Sequence, residues 1–154
     1  MKLNTWTCGT LAGVLATIVL TIITVSLDFF NVLSISEIEY ASRFILHLPD
    51  KELGILEWII GVITNFSLGV LFGVLVAYLF RYTGREEKYF KILGITVLLW
   101  FFHLVIVPFL DPTMAKFSTS QTAIEFFVNY LLWSYVASFI ILKYLKYPQE
   151  ISIK

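Results

Sequence analysis

His103 stands inside an uncharged run, from Ile92 to Leu110, and is the first residue in the chain whose type and setting could do chemistry. An imidazole titrates near neutral pH, and an ionisable group within so apolar a stretch is a functional candidate by default. Three further apolar runs each carry polar side chains. Thr21 lies in the run of about 6–27, Asn65 in that of 58–80, and Asn129 in that of 122–142, with Glu125 one turn before it. Asn65 is seven residues inward from Trp58, His103 seven before Leu110, and Asn129 seven after Thr122. At about 1.5 Å per residue, all three fall roughly 10 Å below one edge of a helical bundle. Glu125 and Asn129 share a helix face, as do Thr96, Trp100, His103, Val107 and Asp111. Thr21, Asn65, His103, Asn129 and Glu125 therefore form a candidate intramembrane polar cluster.

Two chemistries fit that cluster. The plainer is hydrogen bonding between helices, where each bond contributes about 0.6 kcal/mol on average. The sharper makes His103 a proton- or cation-handling group, with Asn65, Asn129 and Glu125 around it and carboxylates beyond them as a funnel. Other chemistries lack their residues. Only His103 is available inside the spans, so a bis-histidine haem is not expected, and a zinc site would need three or four ligands. Ser134 and Ser138 have no His and acid at convincing positions, and read as small packing positions. The glycines have no strand-turn-helix context for a phosphate loop. Lone Cys8 forms no intrachain disulfide. We expect no cofactor, no metal and no nucleic-acid partner.

The elements that position these residues follow from composition. The 154 residues are 58% hydrophobic and only 14% charged, against about 45–50% and about 25% in soluble domains. Uncharged runs of this length are bilayer-spanning helices. The expected fold is an all-α integral membrane four-helix bundle, one transmembrane domain over residues 1–154, with spans at about 6–27, 58–80, 92–110 and 122–142. The first run is too long for a signal peptide's apolar region and no small-residue cleavage site follows it, so it reads as a retained span. Between spans one and two, Ser34-x-x-Glu37 has capping-box spacing, and Ile38, Ala41, Ile45 and Leu48 recur at helical intervals until Pro49-Asp50. A short amphipathic outer helix along the membrane surface is the natural reading, and a flap over the bundle mouth the variant. His47 reads as a surface residue of that helix.

Small residues mark where the helices meet. Gly9-x-x-x-Gly13 in span one faces a row of Gly61, Asn65, Gly69, Gly73 and Ala77 in span two, the spacing that lets backbones approach closely. Basic residues set orientation. Arg81, Arg85, Lys88 and Lys91 lie between spans two and three, with Lys2 at one end and Lys143, Lys146 and Lys154 at the other. Arg43, Lys51 and Lys116 are the only ones in the other two connections. By the positive-inside rule both termini are cytoplasmic, in a multi-pass protein of the cytoplasmic (plasma) membrane.

The Gly9-x-x-x-Gly13 pair, the long acidic outer loop, the Gly-rich second span, the short basic turn and Pro108 at the end of span three resemble the small four-span YqhR-type proteins of spore-forming bacteria. The resemblance implies membrane residence and four helices, and no activity. The expected function is that of a non-enzymatic structural or accessory subunit, in contact with the lipid bilayer and with a membrane-protein partner or further copies of itself. The alternative is a small oligomeric transporter or channel for protons, cations or a small solute.

Overall fold

The computed structural model describes residues 2–30, 32–48 and 52–146. Its helices are α1 (Thr5–Phe29), α2 (Glu37–Leu46), α3 (Ile55–Thr83), α4 (Lys88–Leu110) and α5 (Ser120–Tyr144), with a 3-10 turn at Pro112–Phe117. The described residues contain no strand. Four helices, α1, α3, α4 and α5, are long and apolar enough to cross a membrane. Their outward faces carry Ile22, Ile63, Leu98 and Val128, all exposed. An apolar belt of that extent is stable facing lipid and not water. The chain is a multi-pass all-α membrane protein.

Each span is three to six residues longer overall than the hydropathy boundaries, because capping extends it beyond the apolar run. Asn4 caps α1 by accepting from the Thr7 amide at 2.8 Å, and Thr119 caps α5 by accepting from the Thr122 amide at 3.1 Å. These side chains satisfy amides that have no partner within the helix. At the other end of α3, Lys91 donates to the carbonyls of Thr83, Gly84 and Glu86. Gly84 has φ of +76°, a conformation that suits glycine and lets the chain turn at once into α4.

The closest crossing is between α1 and α3. Gly9 lies against the backbone of Gly73 and Val74, and Gly13 against that of Gly69 and Val70. Gly69 in turn faces the Thr17 hydroxyl, and Gly73 the backbone of Gly9 and Gly13. Any Cβ at these four positions would overlap atoms of the partner helix, so the two G-x-x-x-G pairs interleave. Gly61 receives a different neighbour: it abuts the Ile38 carbonyl and Ser42 of α2. Both glycine rows are thus filled within the chain.

Around the bundle, α1 packs on α3 and on α5, and α5 packs on α4. The fourth seam, between α3 and α4, has little backbone contact and is bridged by side chains, Phe72 meeting Phe102 edge-to-face with centroids 5.8 Å apart. The segment before α1 and the segment after α5 meet at one end of the bundle. The Leu3 amide donates to the Tyr144 carbonyl at 2.8 Å and the Lys146 amide to the Leu3 carbonyl at 2.9 Å. We call this the terminal end. Lys2, Arg81, Arg85, Lys88, Lys91, Lys143 and Lys146 are on the segments gathered there. Lys51 and Lys154 lie outside the described residues.

Helix α2 is the short outer helix between the first two spans, and it covers the mouth of the bundle as the flap variant has it. It is inserted at the opposite end, packed on α3, with Glu37, Ile38, Tyr40, Ala41 and Ser42 buried, while Ile45 is exposed. The capping differs too. Ser36, not Ser34, is the N-cap, accepting from the Glu39 amide at 3.2 Å. Ser34 is drawn away because its hydroxyl donates to Glu125 at 2.5 Å and its amide binds the same carboxylate. Pro49 and Asp50, read as the stop of α2, lie outside the described residues. The helix has already ended at His47, whose φ is 52°.

Candidate functional site

Helix α2 presents Glu37, Tyr40, Ala41 and Phe44 at successive helical intervals, and this stripe roofs a cavity of about 70 Å³ in the splayed end of the bundle. The walls come from every span. They include Thr17 of α1, Asn65 and Phe72 of α3, Phe102 and His103 of α4, and Tyr130 and Trp133 of α5. The volume has room for a few waters, provided that polar groups face them.

The polar groups are held from outside the cavity. Buried Glu37 accepts through Oε1 from the Asn129 amide, while its Oε2 is buried with no hydrogen-bond partner. Burial pushes the Glu37 carboxyl up to about 7, its hydrogen bonds offsetting only part of that rise. The Trp133 indole donates to the Thr17 hydroxyl at 3.1 Å, tying α5 to α1. His103 bonds through Nδ1 to the Leu99 carbonyl at 2.8 Å. A carbonyl only accepts, so Nδ1 carries the proton and Nε2 of the neutral ring is left as an acceptor. The ring stacks on Tyr130 with centroids 4.8 Å apart.

The backbone beneath His103 has a specific cause. Pro108 has no N–H and its ring clashes with the carbonyl four residues earlier. Helix α4 responds with one π turn, Phe102–Ile106, in which the Val107 amide reaches back five residues to the Phe102 carbonyl. In that register the next donor would be residue 108, and its intended acceptor the His103 carbonyl. The Tyr40 hydroxyl takes the vacancy, donating to that carbonyl at 2.7 Å. A proline in α4 thus creates the acceptor that docks α2. The Tyr40 phenol is pushed up by burial and then by the charge of Asp111.

The sequence-derived cluster is only partly brought together. Asn65 and His103 line the cavity, and Asn129 adjoins it through Glu37. Glu125 does not surround His103. It sits at the rim, holding Ser34 and accepting from Gln121 at 2.8 Å. Thr21 is replaced at the cavity wall by Thr17, one turn away, and its own hydroxyl is buried without a partner. The carboxylates expected to form a funnel are engaged elsewhere. Glu39 pairs with Arg43 at 2.7 Å, and Asp111 with His47 at 2.7 Å. The Thr113 hydroxyl and then the His47 ring hold the Asp111 carboxyl below its usual range. His47 is exposed as expected, though it is not idle. Ser134 and Ser138 are fully buried and their hydroxyls have no partner, as small residues at a packed face. No cluster of three or more metal-ligating side chains occurs among the described residues.

No family model, curated protein or solved structure matches the chain. The site's own geometry is therefore the ground for any functional reading. Glu37 and Tyr40 are the residues that sequence reasoning missed. A signal for them existed, since Glu37, Tyr40, Ala41 and Phe44 have the same helical spacing as the apolar row.

Proposed function

We propose that this chain is a non-enzymatic accessory or interaction subunit of a bacterial cytoplasmic membrane, of the YqhR type, with both termini cytoplasmic. One observation carries the reading: the long connection between α1 and α3 is clamped into the bundle and not left as a loose loop. Ser34 binds Glu125, Glu37 binds Asn129, Tyr40 binds the His103 carbonyl, and Ser42 donates to the Glu57 carbonyl at 2.8 Å. Each bond crosses from the connection to a span. Together they hold a rigid face at the end opposite the termini, as a docking surface needs and a passive linker does not. Orientation is supported by the basic residues grouped at the terminal end.

Because both glycine rows are filled within the chain, a partner would meet this outer face or the lipid-facing sides. The test is cross-linking in intact membranes from a photoreactive residue at Glu52 or Val32, beside the same residue at Leu98. Adducts to a defined membrane protein, or to a second copy, support the reading. Clean monomer at every position overturns it. Reporter fusions after Arg85 and Glu52 should report opposite sides of the membrane, Arg85 inside.

A second reading, a small oligomeric transporter or channel, is favoured by the cavity that holds Glu37 and His103. Within one protomer the path is blocked towards the termini, where Cys8, Ala77, Phe80, Ile141 and Leu145 are fully buried. Flux in liposomes that disappears in His103→Ala would favour this reading over the first.

A further inference from the structure

The cavity beneath α2 has an unbalanced set of hydrogen-bonding groups. Its lining includes Glu37, whose second carboxylate oxygen makes no hydrogen bond of normal geometry although the Thr24 hydroxyl of α1 lies near the carboxyl, and His103, whose Nε2 is an acceptor with no partner among the described residues. The Asn65 amide and the Tyr130 hydroxyl also make no hydrogen bond among the described residues, and each can accept or donate. Two further donors of the lining are already engaged, the Trp133 indole with Thr17 and the Tyr40 hydroxyl with the His103 carbonyl, and none of the donors in the lining is charged. Six rings, Tyr40, Phe44, Phe72, Phe102, Tyr130 and Trp133, share the rest of the wall with aliphatic and small side chains. A carboxylate with a free oxygen, a second acceptor and ring faces together make a surround that favours a cation bearing N–H groups. An anion would meet Glu37 with no positive side chain in the lining to balance it. A purely apolar guest would leave the carboxylate oxygen and the imidazole nitrogen unsatisfied.

We propose that this cavity is a binding site for a small primary ammonium cation, with Glu37 as its counter-ion, His103 Nε2 as a second acceptor and the aromatic walls around its carbon atoms. The seam between α3 and α4 beside the site is bridged by side chains alone, Phe72 meeting Phe102 with centroids 5.8 Å apart. Rotation of those two rings would admit a free alkylammonium ion, or the ammonium headgroup of a neighbouring lipid. The shared chemistry is the –NH3⁺ group. The proposal stands apart from the accessory-subunit reading, since a docking subunit can carry such a site or lack it.

The groups facing Glu37 bear on its charge. Tyr40 is on its own helix, His103 on α4, and Tyr130 and Glu125 on α5. The residues that α1 and α3 contribute to the cavity wall, Thr17, Leu20, Asn65, Leu68, Gly69 and Phe72, carry no charge. No positive side chain is among these, so a cationic guest supplies the missing charge.

The test uses the full chain in phosphatidylcholine nanodiscs, with Trp133 fluorescence and thermal shift as readouts. Probes are methylammonium, ethylammonium, tetramethylammonium and ethanol. The primary ammonium ions should bind, tetramethylammonium more weakly for lack of N–H groups, and ethanol without a measurable shift. Glu37→Gln should weaken ethylammonium binding by about tenfold or more, the loss of one charge-assisted contact. His103→Phe should weaken it less. If Glu37→Gln does not fold, Ala41→Leu fills the cavity from α2 and should abolish binding by volume alone. Nanodiscs containing phosphatidylethanolamine separate the sources: competition with ethylammonium there points to a lipid headgroup, and unchanged affinity to a free amine. No response to any primary ammonium, equal binding of ethanol, or binding unchanged in a folded Glu37→Gln or Ala41→Leu protein overturns the proposal. Co-purification with or without a partner leaves this outcome unaffected, so the two proposals fail separately.

Discussion

The two ends of this bundle solve one problem in opposite ways. At the terminal end the helices touch backbone to backbone, with Gly9, Gly13, Gly69 and Gly73 interleaved and Ala12, Ala16 and Ala77 fully buried. At the other end they splay, and a short helix fills the gap with polar side chains that bond across it. In lipid there is no hydrophobic gain from bringing apolar helices together, so association rests on close packing or on interhelical hydrogen bonds. One half of the molecule uses the first and the other half the second. The packed half leaves no internal space. The bonded half leaves a cavity, because hydrogen bonds fix a few points and not a continuous surface. What function the protein has should therefore be sought in the bonded half.

The largest expected effect lies in the packed half. A Cβ at Gly73 meets the backbone of Gly9 and Gly13, and backbone has no rotamer by which to yield. Gly73→Leu should therefore cost more than about 3 kcal/mol, beyond ordinary core overpacking, and leave little folded protein in detergent. Leu71→Ala, on the exposed lipid face two residues away, should cost far less. Thermal unfolding of both variants checks this. Similar midpoints would mean that the crossing is not what holds this half together.

How much of this contrast can be read in the sequence divides along the same line. The packed half is written in short-range patterns: uncharged runs long enough to span, and glycines four apart on two of them. Those patterns have one physical solution in a bilayer, so spans and crossing are legible. The bonded half depends on where a ten-residue helix goes, and its sequence carries two stripes at helical spacing. Ile38, Ala41, Ile45 and Leu48 favour lying on the membrane, while Glu37, Tyr40, Ala41 and Phe44 face inward when α2 is inserted. Composition favours the first stripe. What decides for the second is distant in sequence: Asn129 to meet Glu37, Gly61 to admit the helix, and the carbonyl freed by Pro108. For the same reason Glu125, four residues from Asn129, looks like a member of the inner cluster and instead serves the rim. Whether α2 stops short of it or reaches it is a tertiary matter.

An intermediate effect should appear as pH dependence confined to the bonded half. Burial raises the Glu37 carboxyl to about 7. The folded state then holds the proton over a range in which the unfolded chain has released it. The stabilising contribution is full below the ordinary carboxylate value and is lost as pH rises through about 7. Charging Glu37 should weaken α2 docking by roughly 3 kcal/mol at most between pH 5 and pH 8. Relative to the intrinsic exchange rate at each pH, α2 amides should lose protection across that interval while amides of α1 near Gly13 keep theirs. Glu37→Gln, which cannot ionise, should flatten the α2 profile. Protection that falls equally in both halves would show that the two are not independent.

The smallest effect is also the most diagnostic of how the halves are joined. Tyr40→Phe removes the donor from the His103 carbonyl and leaves a buried acceptor unpaired, an expected cost of about 1–2 kcal/mol. If Pro108 is the reason that carbonyl is free, restoring an amide there should remove the need for Tyr40. In a Pro108→Ala background the residue at 108 can again donate within α4. Tyr40→Phe should then cost less than about 0.5 kcal/mol, because the remaining phenyl ring keeps its edge-to-face contacts with Phe117 and Phe126. A double-mutant cycle by thermal or chemical unfolding in one detergent measures the coupling directly. Additive costs would mean that the contribution of the Tyr40 hydroxyl does not depend on Pro108. The π turn would then be a defect of α4 that α2 tolerates, and not the feature that receives it.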